Sequence, residues 1–132
     1  MEKREIRSVA VLPFKNVNVE NEYLSDGIAD SIINNISTIN GIRVMARGTV
    51  LSYKNRAIEP WQVGKELGVD AMVAGKLLQQ GNSLTITVDF VDTRDGRLIW
   101  SQKYKRNLND IVSLQSEISK EISNQLRRTN VD

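Results

Sequence analysis

A chain of 132 residues can bury one sizeable core and is about the size of one domain; residues 1–132 are read as a single unit. It has no cysteine and no histidine, which removes disulfides, thiolate chemistry, the usual zinc sites and the histidine-dependent nucleophile systems. With 18 lysines and arginines against 16 acids the net charge is +2, too small by itself to demand a nucleic-acid partner, and no apolar run approaches the roughly 18 residues of a membrane span.

The charged start Met1–Glu5 leads directly into the apolar run Val9-Ala10-Val11-Leu12, and reads as the beginning of a module excised from a longer chain. That run does not alternate, as expected of a short strand buried on both faces. Pro13 lacks an N–H, so ladder pairing should end near Leu12. Lys15 to Glu22 reads as a polar loop. Leu24, Ile28, Ile32, Ile36 and Ile39 then form the stripe of an amphipathic helix, capped by Ser25 or Asp26, with Asp26 and Asp30 in its first turns and Asn40-Gly41 as its stop. Ile42 to Ala46 reads as a second strand, reached by a parallel right-handed crossover. Gly48 to Glu59 is expected to be mostly loop. Pro60 suits the first position of a short helix over Trp61–Leu67, with Gly68 as its exit.

Val69 to Gln79 reads as a strand and Gly81-Asn82 as a turn. Ser83 to Thr93 alternates, Leu84, Ile86, Val88 and Phe90 pointing one way and Thr85, Thr87 and Asp89 the other. Asp95-Gly96 is a hairpin signal, and Arg97 to Arg106 is the last strand. Ile111, Leu114, Ile118, Ile122 and Leu126 mark a closing helix capped by Asn109 or Asp110. The order β-α-β-α-β-β-β-α predicts an α/β (α+β) domain: a mixed five-stranded sheet with helices packed on it.

No catalytic constellation, cofactor motif or metal motif emerges. Gly75-Lys76 fails as a phosphate loop, because Asp70 and Leu77 occupy the positions of its first glycine and its hydroxyl. Asp89, Asp92 and Asp95 read as turn and edge carboxylates rather than a calcium loop. Two stretches are rich in cations: Arg43, Arg47, Lys54 and Arg56, and then Arg97, Lys103, Lys105 and Arg106, interleaved with Trp100 and Tyr104. The second could bind single-stranded nucleic acid by phosphate contact and stacking. Against that, lysines protect edge strands, and Trp100 and Tyr104 share parity with Leu98, which points all three at the core. The loop after Phe14 lies at the carboxyl end of a central parallel strand, where ligands of open α/β sheets collect, although Asp26 opposes an anion there.

With these pieces placed, the chain resembles the TolB amino-terminal-like domain. The resemblance rests on Val9-Ala10-Val11-Leu12-Pro13-Phe14, Tyr23-Leu24-Ser25-Asp26-Gly27-Ile28, Arg43-Val44-Met45-Ala46-Arg47 with Ser52-Tyr53-Lys54, Glu66-Leu67-Gly68-Val69 with Gly75, Phe90-Val91-Asp92 with Gly96, Leu98 and Trp100, and the helix from Leu108 to Ile122. Such domains accompany adenylate cyclase, kinase or winged-helix output domains in bacterial regulators, often with tetratricopeptide repeats. The resemblance implies a mixed sheet with helices and no enzyme activity. It further implies a regulatory or sensory protein-interaction module of a signalling or envelope protein, often outside the cytoplasmic membrane, with a cytoplasmic location left open.

The expected partner is protein, either the parent chain's own output or repeat domains or another envelope or signalling protein. The expected contact surface is Lys15 to Asp26 together with Arg47 to Lys54, with Arg47, Tyr53, Lys54 and Asp26 as its candidate residues, since cations and aromatics are enriched at interface hot spots. Tyr53 has a second reading, as a ring packed on the sheet. Alternatives to the protein-interaction reading are nucleic-acid binding through the basic strand and a small-molecule sensor at the end of the first strand.

Overall fold

The computed structural model describes residues 5–20, 22–54 and 56–130. Strand β1 (Ser8–Val11) is buried along its whole length. It pairs parallel on one side with β3 (Arg43–Val44) and on the other with β4 (Ala71–Gln80). A strand with sheet on both sides and helices on both faces needs apolar residues at every position, hence the unbroken run. Val9 and Val11 enter one core, and Ala10 and Leu12 the other. Leu12 N–H donates to the Val73 carbonyl at 2.9 Å, and Pro13 follows.

Pairing then resumes where a loop was expected. Residues Lys15–Val17 form β2, parallel to β4 with Lys15 opposite Lys76 and Val17 opposite Leu78. The mixed sheet therefore has six strands rather than five, ordered β3-β1-β4-β5-β6 with β2 beside β4. Pro13 interrupts the ladder, but the chain stays alongside a ten-residue β4 and re-engages once N–H groups return. The polar sequence of β2 carries no apolar signature because β2 pairs on one side only.

Helix α1 (Tyr23–Ile36) starts earlier than the apolar stripe suggests, with Glu22 at its N-cap. Ser25 lies inside the first turn and donates its hydroxyl to the Glu22 carbonyl at 3.0 Å, so neither Ser25 nor Asp26 is the cap. After β3, shorter than the apolar run that marks it, comes a one-turn helix α2 (Arg47–Val50), followed by a 3₁₀ turn at Leu51–Tyr53. These replace the start of the expected loop and are too short to show a period. Their buried residues, Val50 and Tyr53, are three apart, one turn of a helix.

Helix α3 (Pro60–Leu67) has proline in its first turn, a capping box between Glu59 and Gln62, and Gly68 in the left-handed region at φ +67°. Strands β4, β5 (Ser83–Asp92) and β6 (Leu98–Asn107) form an antiparallel meander. Helix α4 (Ile111–Thr129) closes the chain.

Two layers cover the sheet. On one face α1 and α4 bury Ile28, Ile32, Ile36, Leu114, Ile118, Ile122 and Leu126 against Val73, Leu77, Leu84, Ile86, Val88 and Phe90. The hydroxyls of Ser31 and Ser119 meet at 2.9 Å where the helices touch. Phe14 lies over Gly75, where a Cβ would collide with the ring. On the other face α2, the 3₁₀ turn and α3 enclose a smaller core of Ala10, Leu12, Val50, Tyr53, Val63, Val69, Met72 and Val91.

Strand β6 departs from the expected parity. Phe90 pairs with Trp100 but Val91 with Leu98, an irregularity that absorbs one residue. Tyr104 is buried and Trp100 packs on the first core, but Leu98 is 56% exposed. Its side chain leaves the core because of that extra residue. Finally, Asn130 clasps the backbone of Ile6: its Oδ1 accepts from Ile6 N–H at 2.8 Å and its Nδ2 donates to Ile6 O at 2.9 Å.

Candidate interaction surface

Residues at the carboxyl end of β1 come from α1, β2 and the α2 segment. Asp26 and Asp30 are four apart on α1, so both carboxylates share one face of the helix. Arg47, at the start of α2, bridges them: Nη2 lies 2.8 Å from Asp26 Oδ2 and Nη1 lies 2.9 Å from Asp30 Oδ2. Lys54 Nζ stands 3.4 Å from Glu22 Oε2, at the same end of α1. Three ion pairs thus fasten α2 and its 3₁₀ turn to the first turns of α1. All of these side chains remain partly in water, 43% for Arg47 and 69% for Glu22, so each pair contributes only about 0–1 kcal/mol. The set holds a charged surface in shape more than it stabilises the fold.

Tyr53 faces the other way. It is 6% exposed within the second core, and its hydroxyl donates to Glu66 Oε1 of α3 at 2.7 Å. Burial, and then the Glu66 carboxylate, push its pKa above 10. The Arg56 guanidinium lies 4.9 Å from the ring centroid. Of the four candidate residues, Arg47 and Asp26 are in direct contact, Lys54 ties the same two segments, and Tyr53 is the ring on which the turn rests. Sequence reasoning missed Asp30, Glu22 and Glu66 as their partners. The i, i+4 spacing of Asp26 and Asp30 was the available signal for the first.

A cleft of about 350 Å³ opens beside this turn, lined by Leu12, Pro13, Lys15, Tyr53, Arg56 and Met72 among others. It lies at the end of β1, where a crevice was expected. The basic strand, by contrast, does not form a stacking platform. Tyr104 is buried on the face covered by α1 and α4, and Trp100 packs there too, whereas Lys103 and Lys105 alternate onto the opposite face. Arg106 is bound to Glu117 at 3.0 and 3.2 Å. The three aspartates are used internally. Asp89 accepts from the Ser101 hydroxyl at 2.6 Å and Asp95 from Arg97 N–H at 2.9 Å. Asp92 is fully buried, with Oδ2 2.9 Å from Arg94 Nη2. Among the described residues no group of three or more acids, histidines or cysteines is placed to hold a metal ion.

A family model described as the HilA/YgeH-like transcriptional regulator, second domain, matches residues 5–121. The chain belongs to this family. The HilA/YgeH-like second domain seen here is also 35% identical over 122 residues to a protein of Rhizobium meliloti (strain 1021) that carries the name adenylate cyclase 3. That match covers 91% of this chain but only 21% of the relative.

Two solved structures share the fold. Lipoprotein GNA1162 from Neisseria meningitidis superposes with a TM-score of 0.64 at 21% identity, covering 91% of this chain and 99% of the lipoprotein. TolB from Acinetobacter baumannii gives 0.65 at 14% identity, covering 94% of this chain and 29% of TolB. The HilA/YgeH-like second domain thus shares its fold with part of TolB, the fold that the resemblance of its ordered motifs implied. Among its described residues no helix is long and apolar enough to cross a membrane.

Proposed function

We propose that this domain is a non-catalytic regulatory module that binds protein, working beside the output or repeat domains of a longer bacterial signalling or envelope protein. The observation that carries this reading is the family match over residues 5–121. The small fraction of the adenylate cyclase relative that the chain spans supports a module serving other domains. The lipoprotein among its structural neighbours supports an extracytoplasmic setting. The contact surface in this reading is the ion-paired edge: Arg47, Asp26 and Lys54 meet the partner, and Tyr53 holds the turn that presents them.

The test is site-specific photocrosslinking in the native host. A crosslinker at Leu51, which is 51% exposed between Arg47 and Lys54, should capture one defined protein, or one defined segment of the parent chain. The same group at Lys120, on the outer side of α4, should not. Capture that is equal at both positions, or absent at Leu51, removes the reading.

A second reading rests on the cleft beside Tyr53. Its volume of about 350 Å³ lies within the range of small-molecule sites, roughly 300–1,000 Å³, which suits a sensor domain. A thermal-shift screen of nucleotides and metabolites should then raise the melting temperature with at least one compound. A screen without such a compound removes this second reading.

A further inference from the structure

The second face of the sheet is only half covered. The core under α2 and α3 reaches Ala74 on β4 and Val91 on β5, and none of its residues comes from further along β4 or β5 or from β6. The pairing registers assemble the surface there. Lys15 lies opposite Lys76, Lys76 opposite Thr87, and Thr87 opposite Lys103. In the next row Val17 lies opposite Leu78, Leu78 opposite Thr85, and Thr85 opposite Lys105. The four lysines are exposed; Val17, Leu78, Thr85 and Thr87 are half-buried. The neighbouring acid, Asp89, is engaged by Ser101.

Protection of the β6 edge accounts for Lys103 and Lys105, but Lys76 is on β4, in the interior of the sheet. Like charges facing each other across strands are destabilising, yet Lys15 and Lys76 do so. Such an arrangement suits a face that meets negative charge from elsewhere. A bare sheet face four strands across, three spacings or roughly 14 Å, also has room for one helix, about 10–12 Å wide.

We propose that this half-face docks an acidic amphipathic α-helix of a protein partner. Its apolar side lies over Val17 and Leu78, and its carboxylates, about 6 Å apart at i and i+4, reach the lysines. Among the described residues a second copy offers no such helix: the apolar faces of α1, α3 and α4 are already buried in the two cores, and Asp26 and Asp30 of α1 are held by Arg47. Single-stranded nucleic acid lacks its stacking partners, since Trp100 and Tyr104 pack on the other face. This surface is separate from the ion-paired edge, and its test does not depend on that reading.

The experiment is an NMR titration of the nitrogen-15-labelled chain at low salt. The probe is a synthetic amphipathic helix with leucines on one side and glutamates on the other; a scrambled peptide of the same composition and an oligothymidylate are run in parallel. Shifts should be confined to residues 15–17, 74–78, 85–89 and 101–105. Lys76→Glu combined with Lys103→Glu should weaken binding by roughly tenfold or more without moving the melting temperature. Shifts on α1 or α4, equal affinity for the scrambled peptide, or tighter binding of oligothymidylate at these lysines would each overturn the proposal.

Discussion

Tyr104 carries a buried hydroxyl that finds no hydrogen-bond partner among the described residues. Burial, and then the carboxylates of Glu121 and Glu117, push its pKa up to about 12. The unfolded chain ionises near 10 while the folded one stays neutral, so above pH 10 the unfolded state binds fewer protons. Stability is therefore intact below pH 10 and falls between about pH 10 and 12, by on the order of 2–3 kcal/mol. Tyr104→Phe should flatten that part of the pH profile. At pH 7 it should be neutral to stabilising by about 1 kcal/mol, because it removes an unmade hydrogen bond; urea melts at pH 7 and pH 11 check both. Gly75 is the opposite case, a residue defined by what it lacks. Gly75→Ala would drive a methyl into the Phe14 ring, which is 3% exposed and cannot swing away. A loss of about 1–3 kcal/mol in urea unfolding is expected from such overpacking.

Helices α1 and α4 were legible because their isoleucines and leucines repeat at three and four over several turns, and β5 because it alternates. The elements that went unread are short. β2, α2 and the 3₁₀ turn are each held by neighbours rather than by their own pattern: β2 by β4, the turn by Tyr53 against α3 and by Lys54 against Glu22. The parity error at Leu98 has the same origin, since one extra residue opposite Phe90 is invisible without the partner strand. The candidate site was half legible. Its residues were named and Tyr53 as a packed ring was one of its two readings, but the pairing of Arg47 with Asp26 and Asp30 was not read. Arg47→Ala should cost less than about 1 kcal/mol, as partly exposed ion pairs do, whereas Tyr53→Ala should cost about 3 kcal/mol by emptying part of the second core. Thermal melts of the two single variants separate support from surface, and equal losses would contradict that division.

For the whole molecule, the two faces of the sheet differ. The face under α1 and α4 holds the larger core, and a change there threatens folding first. The other face combines a small core, a cleft, an ion-paired edge and a row of lysines, so its outer half can vary at little cost to stability. The larger core and the surfaces proposed for binding are in that sense set apart, with β1 contributing to the cores on both faces of the sheet.

The clasp between Asn130 and Ile6 brings the two ends of the domain together at one point. A short peptide linker joining them would make a closed ring without disturbing the interior. Such cyclisation restricts the unfolded chain, and by analogy with a long crosslinked loop it should stabilise the domain by about 3–5 kcal/mol. A ring no more resistant to urea than the linear form would mean that the ends do not stay together in solution. In the proposed reading of a module within a longer protein, segments joined to both ends would leave from near this one point, Ile6 and Asn130.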